Sequence, residues 1–168
     1  MTQALNVEFE KAVRLLAEFF PISDESTCKP VLFHDIRVGV YLYENNYSRE
    51  IVLAGILHDI LEFSDAGEEM LRDEFGEEVL NLVYACTKDD TLDNPEEKTN
   101  DMISRCVECG QDALIVKTAD TIDSFKYYTA TKKTDQLENH CLRTAKAIFN
   151  YKPASFNDKI FDELKKWL

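Results

Sequence analysis

The chain contains three histidines, and two of them, His34 and His58, fall on helix faces that are otherwise apolar. His34 shares a 3.6-residue stripe with Val31, Val38, Tyr41 and Leu42, and His58 shares one with Ile51, Ala54 and Leu61. A lone histidine in such a place is ordinarily a hydrogen-bonded core residue. The company of these two changes the reading. Asp59 follows His58 directly, and Glu62 lies four residues past His58 on the next turn. Asp120 sits within the apolar surroundings of Ala113-Leu114-Ile115-Val116 and Thr118-Ala119. A carboxylate buried in such a run is costly unless it is paired or holds a cation. Two imidazoles and two carboxylates from three helices, with no thiolate, suit a borderline-to-hard divalent ion. Such an ion acidifies water and polarises a phosphoryl oxygen, which is the chemistry of phosphate-ester hydrolysis. Glu62 is the nearest carboxylate to orient or deprotonate that water.

The elements that must position these groups are helices, because the apolar period is 3.6 nearly throughout. Leu5, Phe9, Ala12, Val13, Leu16 and Phe20 form a stripe that stops at Pro21. Pro30 suits the first position of a second helix, which ends around Asn45-Asn46. Ser48 is the expected N-cap of a third helix running through His58 to Leu61. Further helices are expected over 66–75, closed by Gly76, and over 77–86; after the loop 88–95 another runs to Gly110. The pattern then predicts helices over 111 to about 131, 134–151 and 156–168, the last opened by Ser155 with Asp158. The expected class is all-α, in a single domain spanning 1–168.

Charge and cysteine usage narrow the partners. Asp and Glu number 32 against 19 Lys and Arg, a formal net charge of -13. So acidic a surface gives a long nucleic acid no basic track to follow, which points to a small ligand in a pocket. No apolar run approaches the ~18–20 residues of a membrane span, and no basic, apolar leader opens the chain, so a cytoplasmic protein with no membrane partner is expected. Five scattered cysteines fit reduced thiols rather than a disulfide scaffold. Cys106 and Cys109, at i and i+3, read as buried packing residues on one helix face. Asp89, Asp90 and Asp93 lack calcium-loop spacing and read as a solvated loop.

The ordered set His34, His58-Asp59, Asp120 resembles the ligand set of the HD-domain metal-dependent phosphohydrolases, and His34-x-x-Arg37-Val38 resembles that superfamily's first motif. Longer segments are similar to the RelA/SpoT-type branch. They are Ala54 to Glu62, Phe75-Gly76-Glu77-Glu78-Val79, Leu82-Val83 with Thr87-Lys88, and Leu114 to Asp120. The likeness runs from about Pro30 to Tyr128. It implies an HD-type helical bundle that removes pyrophosphate from the 3′ position of guanosine tetra- and pentaphosphate. It implies a divalent ion, manganese first, with iron, zinc, nickel or cobalt as alternatives. Phosphate also calls for cations beyond the metal. The candidates are Arg37, Lys117 and Lys88, the last matching the branch's Thr-Lys segment. Tyr127 and Tyr128 are placed to stack a base or to pack, and His140, beside Glu138 and Asn139, is expected to face solvent.

The chain departs from the branch at four places. Phe63 stands where the branch has a second acid after Glu62, although Asp65 is close by. Asp123-Ser124 stands in place of an Asn and Val31 in place of a Tyr, and the branch's nucleotide-contacting Arg would fall near Glu25, a charge reversal. The metal set is untouched. The departures leave two readings open: a phosphohydrolase acting on a nucleotide or other small phosphorylated molecule, or a catalytically weakened domain that binds nucleotide in a regulatory role. Either could form a homo-oligomer.

Overall fold

Caps and breakers set the helix boundaries of the computed structural model, which describes residues 2–24 and 27–168. Glu25 therefore lies outside the described residues. The Thr2 side chain accepts from Leu5 N and opens α1 (Gln3–Phe19). Pro30, at φ -61°, leads into α2 (Val31–Glu44), and the Ser48 hydroxyl caps α3 (Arg49–Leu57). After His58 and Asp59 comes the single turn α4 (Ile60–Phe63), then α5 (Glu68–Phe75) and α6 (Glu77–Cys86). Asn94 accepts from two backbone N–H groups at the start of α7 (Pro95–Cys109), and α8 (Gln111–Ala130) follows. The chain ends with α9 (Thr134–Gln136), a π-turn over Leu137–Cys141, α10 (Leu142–Tyr151) and α11 (Lys159–Lys165). No strand occurs among the described residues, and no helix among them is long and apolar enough to cross a membrane.

Two helices lie inside. Every side chain of α3 from Ile51 to Leu57 is buried, and a helix apolar all round belongs in the interior. It packs against α1, α2, α6 and α8. The second inner helix, α8, is buried from Ala113 through Ile122 even though that run includes Lys117, Thr118, Asp120 and Thr121. Gly110 joins α7 to α8 at φ +126°, ψ 178°, a conformation open essentially to glycine alone. That corner turns α8 back along α7 and α6. The carboxylate of Asp120 thus enters the same interior that α2 and α3 reach from the other side.

Several boundaries differ from the sequence reading. The third helix does not run through His58 to Leu61. Asp59, at φ -98° and ψ -4°, breaks it into α3 and α4. In a regular helix successive side chains diverge by about 100°, and the break lets His58 and Asp59 point into one space. The helix expected over 134–151 is interrupted where Leu142 N donates to Leu137 O, five residues back. The last helix starts later, because Asp158 and not Ser155 caps it by accepting from Ile160 N at 2.9 Å. Pro30 is the N-cap, since its extended ψ makes Val31 the first helical residue. Cys106 is buried, but Cys109, in the last turn of α7, is exposed.

The helices carrying the two core histidines touch at a glycine. A Cβ on Gly39 of α2 would stand 2.8 Å from Ile56 Cβ and 3.3 Å from Ile56 Cα of α3. Gly39→Ala is therefore expected to force α2 and α3 apart and to destabilise by about 1–3 kcal/mol, the usual cost of overpacking. A thermal melt should fall by several degrees, and an unchanged midpoint would show that the contact has slack.

Candidate metal centre

Three helices deliver the buried ionisable groups to one place. From α2, His34 is fully buried; its Nδ1 donates to Asp123 Oδ2 at 2.6 Å and its Nε2 lies 2.9 Å from Asp120 Oδ1. At the α3–α4 break, the His58 Nδ1 donates to Gly55 O at 2.9 Å. This bond fixes the ring and leaves Nε2 as the free atom. Among the described residues Nε2 has no hydrogen-bond partner, although it is buried. It lies 3.4 Å from Asp59 Oδ1 and 3.7 Å from Asp120 Oδ1. The two imidazoles stand edge to face, with ring centroids 5.3 Å apart. His34 Nε2 and His58 Nε2 thus converge on the carboxylates of Asp59 and Asp120. An orphaned imidazole nitrogen among buried carboxylates fits a divalent cation, and these four side chains could hold one.

The electrostatics point the same way. Burial lowers the proton affinity of His58, but Asp59, Asp35 and Asp120 outweigh it and lift its pKa to about 10. Burial opposes the charge on Asp120, yet Lys117 and Lys29 hold it well below the usual carboxylate range, helped by the contact with His34 and the nearby His58 ring. Asp59, also opposed by burial, is held down to about 2, chiefly by His58 and Lys29. A field that drives an imidazole so far toward its cationic form demands positive charge at that spot, and a metal ion can take the proton's place.

Around this cluster a second set of residues holds the first in position. Lys117, one turn before Asp120 and buried, sits 2.7 Å from Asp120 Oδ2. Lys88 Nζ donates to Glu62 Oε1 at 2.6 Å and its backbone N to Glu62 Oε2 at 3.4 Å. Arg37 does not face the cavity. Its guanidinium grips Asp123 with two bonds of 2.8 and 2.7 Å, and Asp123 in turn accepts from His34. The sequence reading of Arg37 as a phosphate ligand gives way to a clamp on the histidine, because the bidentate pair uses the guanidinium fork. A cavity of about 510 Å³ opens over the cluster and is lined by Asp59 and Asp120, by Lys29, Lys88 and Lys117, and by Phe63, Tyr128 and His140 among others.

Four residues here escape sequence reasoning. Asp35 is fully buried, and neither carboxylate oxygen has a hydrogen-bond partner among the described residues; the nearest charge partner is His58 Nδ1, 3.9 Å from its Oδ1. Burial, reinforced by Asp59 and Asp120, raises its pKa well above the carboxylate range against the pull of His58 and Lys29. One ligand atom each from His34, Asp35, His58 and Asp59 lies within 4.8 Å of the others. The available signal was the second His-Asp dipeptide, His34-Asp35, echoing His58-Asp59. Asp123, two places before Phe125 on α8, is the carboxylate that orients His34. His140 corrects the expectation of a solvent-facing residue. It lines the cavity, and burial above all, then Lys117, Lys88 and Lys29 against the opposing Asp120, pushes it down to about 4. Lys29, in the connection before α2, had no periodicity to flag it.

A family model described as the HD domain matches residues 12–150. The chain belongs to the HD-domain family. Over 121 residues this HD domain is 26% identical to the guanosine-3′,5′-bis(diphosphate) 3′-pyrophosphohydrolase of Aquifex aeolicus, covering 71% of this chain and 17% of that one. Over 95 residues it is 34% identical to a protein of Xenopus tropicalis with the same description, MESH1, covering 55% of this chain and 52% of that one. The chain thus spans less than a fifth of the Aquifex relative and about half of the Xenopus one. In fold it is similar to a solved structure described as a metazoan ortholog of SpoT that hydrolyzes ppGpp, with a TM-score of 0.74 at 19% identity, covering 99% of this chain and 94% of that one. The all-helical HD fold expected from the sequence is the fold observed.

The charge at His58 has a measurable consequence. In the metal-free HD domain the His58 proton stays bound up to about pH 10, so an incoming ion must displace it at any lower pH. Apparent affinity for Mn²⁺ is expected to rise about tenfold per pH unit between roughly pH 7 and 9, with a proton released on binding. Competition against a chelating dye at several pH values checks this. An affinity that stays flat across the range would contradict it.

Proposed function

We propose that this HD domain is a metal-dependent phosphohydrolase acting on a small phosphorylated molecule, a nucleotide of the guanosine tetraphosphate class being the first candidate. The observation that carries the reading is the convergence of His34 Nε2, His58 Nε2 and the Asp59 and Asp120 carboxylates beneath a cavity walled by lysines. The activity named for the relatives supports the nucleotide, and Phe63 and Tyr128 in the cavity wall give a base apolar surface. Manganese is the favoured ion, with iron, zinc, nickel and cobalt as alternatives. His34, His58, Asp59 and Asp120 would hold the ion, which would supply an acidified water and polarise the phosphoryl oxygen.

The chain's own residues do the rest. The Arg37–Asp123 pair holds the His34 ring so that Nε2 faces the cluster. The Gly55 carbonyl does the same for His58. Lys117 keeps Asp120 ionised in a dry interior, where an unpaired carboxylate would take up a proton. Glu62 would orient and deprotonate the attacking water, and Lys88 keeps Glu62 in place.

A second reading, nucleotide binding without turnover, rests on one observation. Glu62 is tied to Lys88 at 2.6 Å, and Phe63 occupies the adjoining cavity wall where a second acid is absent. A phosphate- and pyrophosphate-release screen over guanosine tetraphosphate and common nucleotides, with Mn²⁺ and metal analysis, separates the readings. Hydrolysis is expected in the wild type. Glu62→Ala should keep its metal and lose about 10²–10⁴-fold in kcat, and His58→Ala should lose both metal and turnover. Tight nucleotide binding with no release by the wild type would favour the second reading, and a wild type that takes up no metal would overturn both.

A further inference from the structure

Three cations reach the cavity wall, and their partners differ. Lys117 lies 2.7 Å from a carboxylate oxygen of Asp120, and Lys88 lies 2.6 Å from one of Glu62. Lys29 is placed otherwise. Its Nζ donates to the neutral hydroxyl of Ser124 at 3.1 Å, and the carboxylate oxygen paired with it among the described residues, Asp120 Oδ1, is 3.7 Å away. An ammonium carries three donors, so at least one remains for a ligand. The side chain is 12% exposed, held along the wall rather than waving in solvent. Ser124 Oγ also donates to Asp120 Oδ1 at 3.3 Å, so the hydroxyl that receives Lys29 is itself fixed to the cluster.

Position completes the case. Asp120 Oδ1 is the oxygen that faces both imidazole Nε2 atoms, at 2.9 Å from His34 and 3.7 Å from His58. An ammonium 3.7 Å from that same oxygen stands beside the place where a phosphoryl group must sit to be attacked. Fully ion-paired lysines would have to break a short charged contact before serving a phosphate, whereas Lys29 gives up one bond to a hydroxyl. Resting on the phosphohydrolase reading above, we propose that Lys29 is the substrate-binding cation of this site, contacting a non-bridging oxygen of the phosphoryl group at the cluster, with Ser124 as its positioning residue. The connection before α2 thereby becomes part of the site, and the chain compensates at Lys29 for its lack of a free cation on Arg37.

Binding of inorganic phosphate to the Mn²⁺-loaded protein, measured by calorimetry, tests this together with steady-state kinetics on the best substrate found. Lys29→Gln keeps an N–H for Ser124 and removes the charge; Lys29→Arg keeps the charge. Lys29→Gln should weaken phosphate binding and lower kcat/KM by about 10- to 100-fold, the usual effect of losing one charge-assisted hydrogen bond. Lys29→Arg should recover much of both; each variant should still bind Mn²⁺ stoichiometrically, and Lys29→Gln should melt below Lys29→Arg because the positive charge beside Asp120 is gone. If Lys29→Gln binds phosphate and turns over as the wild type does, Lys29 is not the substrate cation. If it instead loses Mn²⁺ or unfolds while Lys29→Arg shows the same loss, the residue serves Asp120 and the proposal falls. A wild type that binds neither phosphate nor a phosphorylated substrate would overturn the phosphohydrolase reading itself, and this one with it.

Discussion

Ionised carboxylates inside an apolar helical core must be given positive charge, and the arrangement of this domain follows from that demand. Asp59 and Asp120 are both almost wholly buried, between helices whose other residues are largely Leu, Ile, Val and Ala. In such surroundings an unpaired charge takes a proton or unfolds the site. The chain answers with Lys117 on the same helix turn, Lys29 from the connection before α2, and two imidazoles. The supply still falls short. Neighbouring carboxylates, Asp59 foremost, pull the His58 imidazole up to about 10 against its burial, and burial drives Asp35 toward its neutral form. A site short of positive charge, lined by nitrogen and oxygen donors, is what a divalent ion satisfies.

The same demand organises the surroundings. Asp123 lies outside the cluster and is itself held down to about 2, against its burial, by His34 and Arg37. It fixes the ring of His34 from behind, as a carboxylate partner commonly does for a ligating imidazole. On the opposite side Lys88 fixes Glu62. Each charged group in the neighbourhood is therefore placed by another, and the close approach of α2 to α3 at Gly39 and Ile56 keeps the two histidine-bearing helices at the separation this needs. The acidic exterior and the cation-rich cavity are consistent, because local fields near a pocket are set by buried neighbours rather than by the net charge of -13.

The helical class and the types of the clustered residues were legible because both are written in local periodicity. His34, His58 and Asp120 each break an apolar stripe, and such a break is visible without knowing the partner. The rest depended on tertiary geometry. The apolar pattern continues smoothly through Leu61, so nothing local announced that the backbone would turn at Asp59. His140 was read from its polar neighbours Glu138 and Asn139, but adjacent residues point about 100° apart on a helix, and within the π-turn His140 reaches the cavity wall. Arg37 was readable as a cation one turn from His34, but its capture by Asp123, 86 residues away in sequence, was not. Lys29 lies in a connection, where periodicity carries no information.

The convergence of the two imidazoles and two carboxylates on one ion is tested most directly by diffraction from crystals of the protein grown with Mn²⁺, recorded at a wavelength where manganese scatters anomalously. One strong anomalous peak is predicted between His34 Nε2, His58 Nε2, Asp59 and Asp120, at coordination distance from all four. A peak seated on other residues, or no peak at these four in fully loaded crystals, would contradict it.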